Sequence, residues 1–197
     1  MVHGDCALGG RTDMIKVIAF DLVGVLVSES DVVLTKEEGQ LEKMFGPNIN
    51  DSDYLIKARK IISKDSIIMR MTEDIIDKIY NIRDKNLFYN LKNKYKDKKI
   101  VIATNHVSFV RNYIGESFGV EYLDDVIISA EIHMIKPNKD FYEFILNKFE
   151  IKPEELLLLD DNQKNIDSAK NMGIITIKVD KDTDLYDEII KCIEKNS

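Results

Sequence analysis

Five short apolar runs constrain this chain more than any other feature: residues 15–20, 100–103, 126–129, 156–159 and 174–179. They are short and mostly apolar, so each reads as a strand buried on both sides, the habit of parallel sheets. Parallel neighbours need crossovers, and the gaps between the later runs supply them at helical spacing. Residues 107–118 form one such pattern. Residues 138–149 form a second, with Phe141, Phe144, Ile145 and Phe149 on one face, and 163–172 a third, with Ile166 and Ala169 inward. Strand and helix in repeated alternation predict a doubly wound, Rossmann-like α/β fold around a parallel sheet.

One stretch breaks the alternation. Residues 31–80 are helical in period, rich in Lys, Glu, Ile and Met, and hold no convincing strand. They read as a small helical cap inserted into an α/β core made of residues 14–30 and 81–197. Gly46-Pro47 is the expected turn inside the insert, with Ser63, Asp65 and Thr72 as helix caps. A helix over 84–96, with Leu87, Leu91 and Tyr95 in register, returns the chain to the sheet. The lysines between 92 and 99 are interleaved with acids and amides and read as a solvated helix end. Residues 1–13 (MVHGDCALGGRTD) lack the basic start and apolar stretch of a signal peptide and read as a disordered leader.

Composition narrows the partners. The 197 residues suffice for one domain with a sizeable core. Lys and Arg total 28 against 35 Asp and Glu, a net charge of -7 that argues against a nucleic-acid partner. An anionic ligand must therefore be met by a local device. No run is long enough to cross a membrane, so no membrane partner is expected. Cys6 and Cys192 lie near opposite ends with no metal or redox spacing, and read as free thiols in a reducing, cytoplasmic compartment.

Open α/β sheets bind ligands beyond the carboxyl ends of their strands, so the residues that follow each run matter most. Asp21 follows the first, in FDLVGVL. Thr104 ends the second, in IVIATN, and the pair Asp160-Asp161 follows the fourth, in LLLLDDNQKN. A Lys136-Pro137 step precedes the helix that leads to that fourth strand. Singly, such residues cap turns or decorate a surface. Two acidic positions, a hydroxyl and a lysine on one rim point instead to a site.

Together these motifs resemble the haloacid dehalogenase superfamily, in its phosphatase-like branch with a helical cap inserted after the first motif; the resemblance spans residues 14–179. It implies that Asp21 is a nucleophile that becomes an aspartyl-phosphate, that Thr104, Asn105 and Lys136 bind the phosphorylated substrate, and that Lys136 neutralises charge. It further implies a Mg2+ cofactor held by Asp21, the Val23 backbone carbonyl and Asp161, with Asp160 beside it acting through water or from behind. Asn165 matches a position that orients the lysine or the loop. Bringing a carboxylate onto a phosphate requires positive charge between them, which a hard divalent ion and one lysine supply. Gly24 suits the tight turn after the nucleophile, and Gly173 the end of a helix.

The chain departs from the family motif at Val23, where a second Asp ordinarily serves as general acid and base, help commonly worth about 10² to 10⁴ in rate. Three readings stay open. The first is a phosphatase of a small phosphorylated metabolite, a sugar phosphate foremost, whose leaving group needs little protonation or draws its proton elsewhere. His106 is the substitute donor to test, against the plainer reading of a packed or solvent-facing histidine. The second is a non-catalytic or very slow member that binds a phosphorylated ligand or a protein. The third is a 2-haloacid dehalogenase, whose departing halide needs no proton but which has no use for the Asp160-Asp161 pair. From the cap, Tyr54, Lys57, Arg59, Lys60 and Arg70 are available to a substrate.

Overall fold

The computed structural model describes residues 14–46 and 50–196; the leader with Cys6, and Pro47 of the expected turn, lie outside them. The five apolar runs become five strands, numbered here with the helices in chain order: β1 (Val17–Phe20), β4 (Lys99–Thr104), β5 (Asp125–Ile128), β6 (Leu156–Asp160) and β7 (Ile175–Lys178). They form one parallel sheet in the order β5-β4-β1-β6-β7. Burial on both faces holds along β1 and β6 and along β4 after its first residue, whereas the edge strand β7 is half-buried throughout and β5 in its first half. An edge strand has a neighbour on one side only, so its side chains meet more water.

Side chains alternate across the sheet and build two cores. On one face Val17, Ala19, Val101 and Leu158 pack with Phe141, Tyr142 and Ile145 of α7 (Lys139–Phe149) and Ala169 of α8 (Gln163–Asn171). On the other, Ile18, Phe20, Ile102 and Leu159 pack with α4 (Leu87–Lys94), α5 (Val110–Phe118) and α9 (Leu185–Lys195). Helices cover both faces, as the alternation requires. The short α6 (Ser129–Ile132) follows β5 directly. The helix expected from residue 107 begins three residues later, after a turn.

Between β1 and β4 the chain forms α1 (Lys36–Glu42), α2 (Asp51–Ala58) and α3 (Asp65–Ile79). Their apolar faces, with Leu41, Phe45, Tyr54, Ile68 and Ile75, join the second core cluster. Among the described residues of 31–79 no strand forms, as expected; a short ribbon flanks the stretch and touches it only at Tyr80. Β-strand β2 (Val27–Glu29) and β3 (Tyr80–Ile82) pair antiparallel and clasp the helices at their base. The caps also differ. Thr35 forms a capping box with Glu38, and Asn50 caps α2, while α3 starts at Asp65, which pairs with Arg59. Thr72 lies inside α3, fully buried, donating to the Ile68 carbonyl at 2.8 Å and bonded to the Tyr54 hydroxyl.

The lysine cluster is not uniformly solvated. Lys98 is 1% exposed and donates to the Ile15 carbonyl at 2.7 Å, while Lys92 and Lys99 both pair with Asp124. These bonds hold the start of β4 against the entry to β1. Cys192 is a free, half-buried thiol on α9.

Candidate active site

Because the strands are parallel, their carboxyl ends share one rim, and register decides which residues meet there. Phe20 pairs with Leu159, so the next residues, Asp21 and Asp160, sit level on adjacent strands, and the Asp21 N–H donates to the Leu159 carbonyl at 2.9 Å. On the other side of β1, Phe20 pairs with Ile102, which puts Ala103 level with Asp21 and the buried Thr104 one residue beyond it on the same rim.

Lys136 joins the two acids. Its Nζ lies 3.0 Å from Asp21 Oδ1 and 2.7 Å from Asp160 Oδ2. The lysine and Asp160 side chains are wholly buried and Asp21 is 13% exposed. Asn105 clamps the lysine's backbone from both sides, donating from Nδ2 to the Lys136 carbonyl at 2.8 Å and accepting from its N–H at 2.9 Å. Both ends of that amide are thus engaged in holding Lys136. Asn165 does not meet the lysine; its Nδ2 lies 3.0 Å from each oxygen of Asp160, which also accepts from the Asn162 N–H.

Asp161 behaves differently from its neighbour. It is exposed, and its carboxylate rests against Gly24, whose φ of +83° belongs to glycine and where a Cβ would collide with the Asp161 carboxylate. Asp21, Asp160 and Asp161 each offer an oxygen, all within 4.8 Å of one another. Three carboxylates around one ammonium leave an excess of negative charge, and hard oxygen donors at this spacing fit a divalent cation such as Mg2+. Burial raises the Asp21 carboxyl to about 6, with Lys136 opposing and Asp160 adding to the rise. Asp161 is raised by partial loss of its hydration and then by Asp160. Burial works against the Lys136 charge, but the two carboxylates outweigh it and hold its ammonium above the usual range.

Val23 is half-buried against the core and bridges to Val27, bringing no carboxyl to the rim. His106 is 2% exposed, with Nε2 2.8 Å from the Tyr80 hydroxyl and Nδ1 3.1 Å from the Val107 carbonyl. A carbonyl only accepts, so Nδ1 carries the proton and Nε2 accepts from Tyr80. Burial pushes this imidazole down to about 4, so it is neutral and committed on both nitrogens. The packed reading of His106 therefore holds. Tyr80 was not signalled by sequence beyond ending the insert.

A cleft of about 1020 Å³ opens beside Val23, Gly24 and Asp161, walled by the segment after β2, by Arg83-Asp84 after β3 and by the loop before α9. Arg83, also missed by sequence, bonds the carbonyls of Gly24 and Val25 through Nη1 and those of Asp180, Lys181 and Thr183 through Nη2. The insert residues expected to face substrate do not line this cleft: Tyr54 is fully buried, Arg59 pairs with Asp65, and Lys57, Lys60 and Arg70 are exposed elsewhere. Insert and sheet domain are tied by Ser108 N–H to Asp51 at 2.9 Å and by Asn112 to Glu73 at 2.9 Å. Among the described residues no helix is long and apolar enough to cross a membrane.

Residues 18–179 match the family model described as haloacid dehalogenase-like hydrolase. The chain is similar to bifunctional epoxide hydrolase 2 of Rattus norvegicus, 40% identical over 59 residues, covering 30% of this chain and only 11% of that enzyme. It is similar over most of its length to the glyceraldehyde 3-phosphate phosphatase of Methanocaldococcus jannaschii, 24% identical over 84% of this chain and 85% of the relative. A HAD family enzyme from Bacteroides thetaiotaomicron, solved with magnesium and inorganic phosphate, shares the fold with a TM-score of 0.71 at 16% identity, over 88% of this chain and 98% of that one.

Proposed function

The chain belongs to the haloacid dehalogenase-like hydrolases, and on that premise we propose that it is a Mg2+-dependent cytoplasmic phosphatase of a small phosphorylated metabolite, a sugar phosphate being the first to try. The observation that carries this reading is the bridge from Asp21 through Lys136 to Asp160, at 3.0 and 2.7 Å, with the exposed Asp161 beside it. The relative named for glyceraldehyde 3-phosphate and the neighbour solved with magnesium and phosphate point the same way.

In this reading an Asp21 carboxylate oxygen attacks phosphorus, the bond from phosphorus to the leaving oxygen breaks, and an aspartyl-phosphate forms. A water oxygen then attacks the same phosphorus, the bond to Asp21 breaks, and inorganic phosphate leaves. Lys136 balances the charge of Asp21 and of the phosphoryl oxygens, and the Thr104 hydroxyl donates to one of those oxygens. Asn105 acts through Lys136 by fixing its backbone. Asp161, Asp21 and the Val23 carbonyl would hold Mg2+, which when bound neutralises phosphate charge. Asp160 stands behind, because its oxygens already serve Lys136, Asn162 and Asn165. Residues 31–80 act as the cap that excludes bulk water from the rim.

Val23 favours a second reading, a non-catalytic or very slow binder of a phosphorylated ligand. With both His106 nitrogens engaged, that side chain is not the replacement acid, so a turning-over enzyme must act on leaving groups that depart with little protonation or take the proton from solvent. The dehalogenase reading is disfavoured by the acidic pair, which a metal-free haloacid site does not use. A Mg2+-dependent phosphate-release screen across a metabolite panel, with Asp21→Asn as blank, decides. Release by wild type and none by the blank supports the phosphatase; binding without release in both supports the binder.

A further inference from the structure

The cleft beside Asp161, about 1020 Å³, is at the upper end of the size range of small-molecule pockets and far exceeds what a phosphoryl group fills. It borders Val23, Gly24 and Asp161, and Asp161 offers an oxygen within 4.8 Å of one from Asp21, so this is the open space beside a phosphate held there. The walls there are built, not frayed. Arg83 pins the Gly24 and Val25 turn on one side and the 180–183 loop on the other through carbonyl bonds of 2.8 to 3.3 Å. Thr183 closes that loop on itself through Asp180, and Asp184 caps α9 by accepting from the Asp187 N–H.

The charge on these walls is one-sided. Besides Asp161, the cleft carries Glu29, Asp31, Asp84, Asp182 and Asp184, and its cations are Arg83 and Lys181. Five carboxylates against two cations leave three uncancelled negative charges around the space for the leaving group. The Arg83 terminal nitrogens are moreover already directed at backbone carbonyls and not at a ligand.

We propose that this cleft selects phosphate esters whose leaving group bears no negative charge, a neutral or aminated polyol, and turns away those that end in a carboxylate. The proposal rests on the phosphatase reading for its geometry. Across a wet cleft of this width each uncancelled carboxylate disfavours an anion about two- to threefold, so three give a discrimination on the order of tenfold.

The test uses pairs that differ only in replacing a hydroxymethyl group by a carboxylate and leave through the same kind of primary alkoxide: glycerol 3-phosphate against 3-phosphoglycerate, and sorbitol 6-phosphate against 6-phosphogluconate, with glucosamine 6-phosphate as the cationic member. In wild type, kcat/KM should favour the neutral partner of each pair about tenfold. The preference should fall below threefold in the double variant Glu29→Gln with Asp31→Asn, and fall likewise in high salt. Equal or inverted preference in wild type overturns the proposal, as does a preference that the double variant leaves unchanged. Calorimetric binding of the same pairs to Asp21→Asn reads the selection without turnover. A protein that binds neutral partners preferentially but never releases phosphate refutes the phosphatase reading and leaves this one standing; release of phosphate with no charge preference does the reverse.

Discussion

Replacing Asp21 by Asn should stabilise the metal-free protein while abolishing turnover. The folded protein holds this carboxyl at about 6 against 3.8 for a free side chain, with burial the largest cause. A raised carboxyl pKa means that the fold favours the protonated form, so the charged form at neutral pH is a liability. About two pK units at 1.36 kcal/mol each amount to roughly 3 kcal/mol. The amide removes that liability, and Lys136 keeps its 2.7 Å partner Asp160. The sign fixes a pH window. The cost is fully present above about pH 6 and fades toward 3.8, so the variant's advantage should be largest at pH 8 and nearly gone at pH 4. For a chain of this length 1 kcal/mol moves Tm by roughly 2 to 4 °C, so a gain of about 5 to 10 °C is expected at pH 8 in chelator. Mg2+ should narrow the gap by stabilising wild type more than the variant. Thermal and urea denaturation of both proteins in chelator at pH 8, 6 and 4 measure it. A variant no more stable than wild type at pH 8, or an advantage that grows toward acid, would refute the electrostatic account of Asp21.

Gly24→Ala should cost about 1 to 3 kcal/mol, because its φ of +83° and the Asp161 carboxylate beside it leave no place for a methyl group; calorimetry should show Mg2+ affinity falling with it. Arg83→Met should cost about 1 to 3 kcal/mol and speed hydrogen exchange in the turn at 24–26 and the loop at 180–183, and Arg83→Lys should recover little because an ammonium lacks the planar fork. Unchanged exchange in either segment would count against the latch. Val23→Asp returns a carboxyl two residues after Asp21 and should raise the rate on esters with poor leaving groups by one to three decades, less on nitrophenyl phosphate. A folded, metal-binding Val23→Asp protein with no gain would favour the binding reading.

The strands were legible because a buried parallel strand must be apolar for its whole length, as Leu156–Asp160 nearly is. The rim residues were legible for a related reason: Asp21, Thr104 and Asp160 stand where apolar runs stop, and parallel strands stop together. The ribbon of Val27–Glu29 and Tyr80–Ile82 was not, since three residues carry no period and its pairing is set by the closure of the insert. Arg83 and Lys98 were hidden because both satisfy their charge with backbone carbonyls, which no sequence pattern records. His106 reads the same in sequence whether it donates to a substrate or accepts from Tyr80; only the Val107 carbonyl at 3.1 Å fixes its tautomer.

In the proposed reaction Asp21 receives the phosphoryl group. Wild type incubated with Mg2+ and acetyl phosphate, a donor whose leaving group needs no general acid, then quenched and reduced with borohydride, should yield homoserine at position 21 by peptide mass spectrometry, and omission of Mg2+ should suppress it. Aspartate recovered intact at 21 under conditions where acetyl phosphate is consumed, or reduction at another carboxylate such as Asp160 or Asp161, would contradict the account.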